Sequence, residues 1–232
     1  PEPLTIYSGV SKFPSGSYLR VSAKSCEWKK YWDPAEKLNQ NRVSDEQPAI
    51  LQLTELLESS VRYRMISDVP FGTFLSGGVD SSLVSAIAAK NSKNLSTFSI
   101  GFAEASHNEA PFAANVAKYL GTHHTEFTVT ESDALNYVPQ LTSIYGEPFA
   151  DSSAIPTLLV SRLAREKVKM VLTGDGGDEL FMGYGSYNWA RRLSKPFNYR
   201  FRSLIAATLD LGDQRMQRAA SVFRVPGKSQ LP

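Results

Sequence analysis

Leu75-Ser-Gly-Gly-Val-Asp-Ser-Ser82 concentrates the chemistry of this chain. An apolar run, Val69-Pro-Phe-Gly-Thr-Phe-Leu75, leads into two consecutive glycines, and a helix-patterned stretch, Leu83-Val-Ser-Ala-Ile-Ala-Ala89, follows at once. A strand that empties through glycines into a helix N-terminus builds an anion site. The glycines let the backbone come close, and unpaired N–H groups point at the ligand. Ser76, Ser81 and Ser82 add hydroxyls, and Asp80 adds a carboxylate suited to a metal ion. The octapeptide reads as a pyrophosphate cradle with its own Mg²⁺ ligand. No lysine follows the glycines and G-x-G-x-x-G does not fit, so it is neither a Walker loop nor a dinucleotide fingerprint. The alternative is a Ser/Gly-rich turn in which Asp80 only complements the helix dipole.

A second strand, Val168 to Thr173, ends in Gly174-Asp175-Gly176-Gly177-Asp178-Glu179-Leu180-Phe181. Three glycines and three acids at a strand tip again indicate close backbone approach and cation binding. Crowded carboxylates repel one another unless a metal or cationic group lies between them. A surface turn is the alternative, but it does not explain why two such tips occur together.

Alternating elements are needed to position these loops. A helix is expected to start at Ser44-Asp-Glu-Gln47, with Ser44 as cap, and to carry Ile50, Leu53, Leu57, Val61 and Met65 on one face. The order then reads strand 69–75, helix 80–90, strand 95–102, helix 108–120, strand 123–129, helix 132–144, helix 154–167 and strand 168–173. Continuous apolar strands alternating with helices predict an α/β fold, a parallel sheet with helices on both faces. Right-handed crossovers place the 76–82 loop at the ligand-binding edge.

Upstream, short β-rich pieces at 4–7, 17–21 and 27–32 lack a partner sheet and are expected to complete a β domain lying before them. Asp33-Pro34 and Asn39-Gln-Asn-Arg42 read as a linker. From Ser186 the pattern is helical and basic, running from Arg191 to Lys228. This reads as a solvated or docked face, with a phosphate- or RNA-binding surface as the alternative that no aromatic–basic signature supports.

The 232 residues carry a net charge of +2 and 42% hydrophobic residues, an ordinary balance for a globular chain with no bulk affinity for nucleic acid or membrane. A single cysteine, Cys26, excludes an internal disulfide and fits a reducing cytoplasm; it reads as a small buried residue. His107, His123 and His124 lack metal-ligand company and read as structural. The chain opens at Pro1-Glu-Pro3 without an initiator Met and stops at Gln230-Leu-Pro232, as expected of an excerpt from a longer polypeptide.

The pattern S-G-G-x-D-S-S resembles the PP-loop of ATP pyrophosphatases, a HUP/Rossmann-like fold. Together with T-G-D-G-G-D-E-L-F-M-G-Y it resembles the synthetase domain of class B glutamine-dependent asparagine synthetases. The likeness runs from about residue 44 to Tyr187 and includes Glu147-Pro-Phe-Ala-Asp-Ser-Ser-Ala-Ile-Pro156. Lys12-Phe-Pro-Ser-Gly-Ser-Tyr18 and Tyr31-Trp-Asp33 resemble the close of that family's glutaminase domain. The resemblance divides the chain into residues 1–43, the end of that domain plus linker, and 44–232, the ATP-binding domain.

It implies adenylation of a carboxylate, aspartate in the namesake enzymes, with ATP and Mg²⁺ and release of pyrophosphate. Ammonia from glutamine then completes the amide. The implied nucleotide contacts are Leu75, Ser76, Gly77, Gly78, Val79, Asp80, Ser81, Ser82, Ile100, Thr173 and Gly174; for Leu75 and Ile100, plain core packing is the alternative. Asp80 and Asp178 are the implied Mg²⁺ ligands, and Asp175, with Asp80 and Asp178, the implied catalytic group. Asp151 and Glu147 are candidates for substrate contact, with helix capping as the alternative.

Asp175 stands where those synthetases carry Glu. Relatives with Asp there serve surface-polysaccharide pathways, so another carboxylate acceptor stays open, as does a module that binds ATP or AMP without turnover. The family's downstream lysine has no match within 188–232, and Cys26 does not match its N-terminal nucleophile. The excerpt alone is therefore expected to be inactive. A homodimer stays open.

Overall fold

The computed structural model describes residues 2–37, 43–104, 108–149, 151–193, 201–212, 216, 217 and 220. The chain forms two compact units, Pro1–Gly174 and Asp175–Pro232. In the first, a four-stranded parallel sheet has the order β5-β4-β3-β6, with β3 at Phe71–Phe74, β4 at Ser96–Phe102, β5 at His123–Val129 and β6 at Met170–Leu172. The two glycine-rich segments follow β3 and β6, which are hydrogen-bonded neighbours paired Phe71 to Met170 and Thr73 to Leu172. Parallel pairing puts both C-terminal tips at the same edge, as the alternation of elements predicts.

Helices cover both faces because successive residues of β3 and β6 point opposite ways. On one face, α2 (Glu46–Arg64) and α3 (Val79–Lys90) supply Val61, Ile87 and Ala88, which pack with Leu95 and Leu172 and against Phe71. On the other, Val160 and Ala164 of α7 (Ala154–Arg165) pack with Phe98 and Val168, and Phe74 and Val171 join them. The buried hydroxyls of Thr73 and Ser85, 2.8 Å apart, fix α3 to β3 in an otherwise apolar layer. The helix α4 (Ala110–Leu120) lies on β4 and β5; Asn108 Oδ1 accepts the Ala110 N–H at its start, and left-handed Gly121 ends it.

Several boundaries differ from the sequence expectations. The first long helix is capped at Asp45 rather than Ser44, with no side-chain cap bond, so Gln47 falls one position too early for a capping box. Of its apolar stripe, Leu57, Val61 and Met65 meet the core, whereas Ile50 and Leu53 are exposed. The expected helix over 132–144 is broken into α5 (Glu131–Tyr137), a 3₁₀ turn at Val138–Gln140 and α6 (Leu141–Tyr145). Pro139 has no N–H to give the α-helical ladder.

Upstream, β1 (Ser17–Val21) and β2 (Cys26–Lys30) pair antiparallel, but Leu4–Tyr7 is no strand: Leu4 makes one isolated bridge to Ser11. The Thr5 hydroxyl instead closes a local turn onto the Val10 carbonyl. Cys26 is exposed, not buried, because every residue of β2 is open to solvent. Pro34–Lys37 forms one helical turn, α1, and the rest of the expected linker, 39–42, lies outside the described residues.

His124 sits half-buried between β4 and β5. Its Nδ1 is 2.9 Å from the Thr97 hydroxyl and its Nε2 is 3.1 Å from that of Ser99. Burial holds its pKa below the ordinary histidine range, partly offset by Glu126. The folded state thus favours the neutral ring, while the unfolded chain takes up the proton below about pH 6.5. Stability from His124 is fully present above that pH, is lost as pH falls through it, and levels off once the folded ring also protonates. Urea midpoints should therefore fall between pH 7.5 and 5 by more in the native sequence than in His124→Gln. Equal slopes would contradict this account.

Candidate functional site

The loop after β3 is shaped by backbone close to backbone. Gly77 adopts φ +85°, and a Cβ there would lie 2.6 Å from Phe112 Cβ and 2.7 Å from the Ala113 nitrogen. Only glycine lets the chain turn in this space, on the first turn of α4. Gly78 then caps α3 with no side chain over the first-turn amides, which keep the positive end of the helix dipole. Val79 is 83% exposed at this opening.

The hydroxyls around the loop have different roles. Ser76 Oγ and Ser81 Oγ are 2.9 Å apart; Ser81 Oγ also accepts the Ser76 N–H and donates to the Gly78 carbonyl, and Ser76 Oγ accepts the Gly78 N–H. These two serines hold the loop's shape. Ser82 differs: its Oγ is the buried polar side-chain atom without a partner among the described residues. Leaving a buried hydroxyl unpaired costs about 1–3 kcal/mol, a penalty that a ligand oxygen reaching it would relieve.

The tip of β6 comes to the same place. A Cβ at Gly174 would lie 2.7 Å from the Ser81 nitrogen and 3.0 Å from Asp80 Cβ. The first glycine of the acidic motif thus touches the first turn of α3, where Asp80 sits half-buried. Two loops some 95 residues apart meet through the absence of one side chain. Thr173, half-buried, precedes this contact.

Leu75 is only 1% exposed and packs with Ala113 and Ala117, so its backbone alone can face a ligand. Ile100 packs against the Phe98, Val160, Ala164 and Val168 cluster. Asp151 Oδ1 accepts the Ser153 N–H at 2.8 Å, a local turn before α7. Glu147 pairs with Lys12 at 2.6 Å, which holds its carboxyl below the usual range.

The second unit has its own rigid knot. The short helix α8 (Gly177–Phe181) follows Gly176 at φ +90° and ends at Met182, a non-glycine residue at φ +59°. The Gly183 N–H donates to the Asp178 carbonyl at 3.0 Å, and a Cβ at Gly183 would overlap an Asp178 carboxylate oxygen. The Tyr184 hydroxyl donates to Glu179 at 2.8 Å, which with the nearby acids pushes its phenol up to about 12. Tyr187 lies against Tyr184 with ring centroids 5.9 Å apart. Asp175 is exposed. The helix α9 (Gly185–Leu193) and a last one, α10 (Arg202–Leu209), follow; much of the basic run lies outside the described residues, as does His107.

Mg²⁺ needs one or two carboxylates and completes its shell with water and phosphate oxygens. Among the described residues no group of three or more His, Cys, Asp or Glu is gathered for a metal. Asp80, in the first turn of α3 against Gly174 and after a glycine-lined loop, fits an ion that arrives with a phosphate ligand. The backing of Gly77 by Phe112 and the nesting of Asp178 on Gly183 were not anticipated. A lone glycine in Met-Gly-Tyr was the only sequence signal for the second, and nothing marked the first. Among the described residues no helix is long and apolar enough to cross a membrane.

Residues 52–230 match the family described as asparagine synthase. A putative asparagine synthetase 2 (glutamine-hydrolyzing) of Methanocaldococcus jannaschii is 39% identical over 188 residues, covering 79% of this chain and 36% of that protein. The asparagine synthetase B (glutamine-hydrolyzing) of Escherichia coli K12 is 32% identical over 214 residues, covering 85% and 38%. The chain spans about a third of the length of the curated relatives it matches. Among solved structures, an NH3-dependent NAD synthetase from Campylobacter jejuni aligns at 17% identity with a TM-score of 0.38, over 82% of this chain and 98% of that one.

Two substitutions test the geometry. Gly174→Val should destabilise the fold by about 2 kcal/mol, because β6 must separate from α3. Met182→Gly should stabilise by roughly 1 kcal/mol by relieving the left-handed backbone. Thermal melts read both.

Proposed function

The chain belongs to the asparagine synthase family, and on that premise we propose that it is the ATP-binding part of a glutamine-dependent amide synthetase. Its carboxylate substrate is aspartate in the first instance, and its setting is the cytoplasm. The observation that carries this reading is the buried, unpartnered Ser82 hydroxyl, next in sequence to Ser81, whose amide lies against Gly174. Native proteins leave few buried hydroxyls unpartnered, and a phosphate oxygen would supply the missing partner.

In the proposed reaction a carboxylate oxygen of aspartate attacks the α-phosphorus of ATP. The new O–P bond forms as the bond to the bridging oxygen breaks, and pyrophosphate leaves with the electron pair. Loop amides at the start of α3 and the Ser82 hydroxyl bind the oxygens that gain charge, while the Ser76–Ser81 bond keeps the loop from adjusting during the step. Bound Mg²⁺, for which Asp80 and Asp178 are the assigned ligands, would neutralise charge on the phosphates.

Ammonia then attacks the acyl carbon, AMP leaves with the C–O electrons, and the nitrogen gives up a proton. Asp175 is assigned to that proton. The main chain of Leu75, Gly77, Gly78, Val79, Thr173 and Gly174 flanks the nucleotide. Leu75 and Ile100 support the pocket from the core.

In the full-length protein, aspartate-dependent exchange of labelled pyrophosphate into ATP measures the first step alone. Asp80→Asn should lower it about 100-fold and Ser82→Ala about tenfold, with the melting temperature unchanged in Asp80→Asn and raised in unliganded Ser82→Ala, which no longer buries an unpaired hydroxyl. Exchange by folded Asp80→Asn at the native rate would exclude the mechanism. If exchange in the native protein requires a carboxylate other than aspartate, the acceptor assignment changes and the loop chemistry stands.

A further inference from the structure

The segment before β1 is fastened to the loop between α6 and α7. Lys12 Nζ lies 2.6 Å from Glu147 Oε1, and the Tyr7 hydroxyl donates to the Gly146 carbonyl at 3.2 Å, across 139 residues of sequence. Two donors from one short segment thus converge on two consecutive loop residues.

Other described residues of that stretch also contact one another. Tyr145 stacks on Phe149 with ring centroids 4.5 Å apart, and its hydroxyl donates to the Ala154 carbonyl at 3.2 Å in the first turn of α7. Asp151 closes a turn onto Ser153. Gly146, in the left-handed region at φ +78°, is the joint at which the loop leaves α6. A glycine at that angle gives the chain freedom on either side, so the direction of the loop depends on what holds residues 146 and 147. Tyr7 and Lys12 hold them.

We infer that Lys12 and Tyr7 are positioning residues that set residues 146–149, where the chain leaves α6, and through them the binding of the acceptor carboxylate. Glu147 is the anchor of this tether, and Asp151 is the residue that the tether places. The inference rests on the proposed function for its acceptor and on the contacts above for its tether. The segment holding Lys12 lies outside the nucleotide loop, so acceptor binding responds to it and ATP binding does not.

The test uses the full-length protein with three variants: Lys12→Met, Lys12→Glu, and Lys12→Glu combined with Glu147→Lys. Hydrogen exchange followed by mass spectrometry reads the tether without substrate. Lys12→Glu should lower protection in 145–153, and the reversed pair should restore it. In the exchange assay, KM for aspartate should rise roughly five- to tenfold in Lys12→Glu and return to within about twofold in the reversed pair, with KM for ATP unchanged.

Unchanged protection in Lys12→Glu overturns the inference. So does a parallel rise in both KM values, or a rise that the reversed pair fails to correct, since a merely structural contact would act that way. Absence of aspartate-dependent exchange in the native protein counts against the proposed function, and the protection measurement still decides the tether.

Discussion

One contact organises the site: the main chain at Gly174 lies against the main chain of Asp80 and Ser81 with no room for a Cβ. β3 and β6 are neighbours in the sheet, so their tips are side by side whatever residues they carry. What makes them one site is that the tip of β6 can close onto the first turn of α3. A side chain at 174 would push apart the amide-bearing loop and the segment that leads into the acids. The same device recurs at Gly77, where the loop rests on α4. The loop is thus gripped from two sides by backbone, which keeps its amides in place before any ligand arrives.

Polar groups are placed with the same economy. Thr73 with Ser85, and Thr97 and Ser99 with His124, satisfy one another inside the layers between sheet and helices. Ser76 and Ser81 do so within the loop. Against that background the Ser82 hydroxyl stands out as buried and unpaired among the described residues.

Away from the sheet, geometry is set by local knots. In the second unit Gly183 makes room for the Asp178 carboxylate and Tyr184 holds Glu179, while Met182 bears the cost of a left-handed backbone. In the first, the Lys12–Glu147 pair joins parts of the chain that no helix or strand connects. Each knot orients residues that a flexible loop would leave free.

The sequence alone determined the parallel α/β layering, since alternating apolar strands and helices have few other ways to bury both faces of a sheet. It also marked both strand-tip motifs, because glycine pairs beside serines and acids are local signals of backbone approach. Its errors were local as well: Pro139 split a helix that the apolar spacing had joined, and Cys26 fell on a hairpin strand that no described residue covers. Only the tertiary structure decided which serine is left unpaired, that the side chain of Leu75 is spent in the core, and that Glu147 is bound to Lys12. Each of these depends on which distant residue arrives beside it, and residue type and spacing along the chain do not encode that arrival.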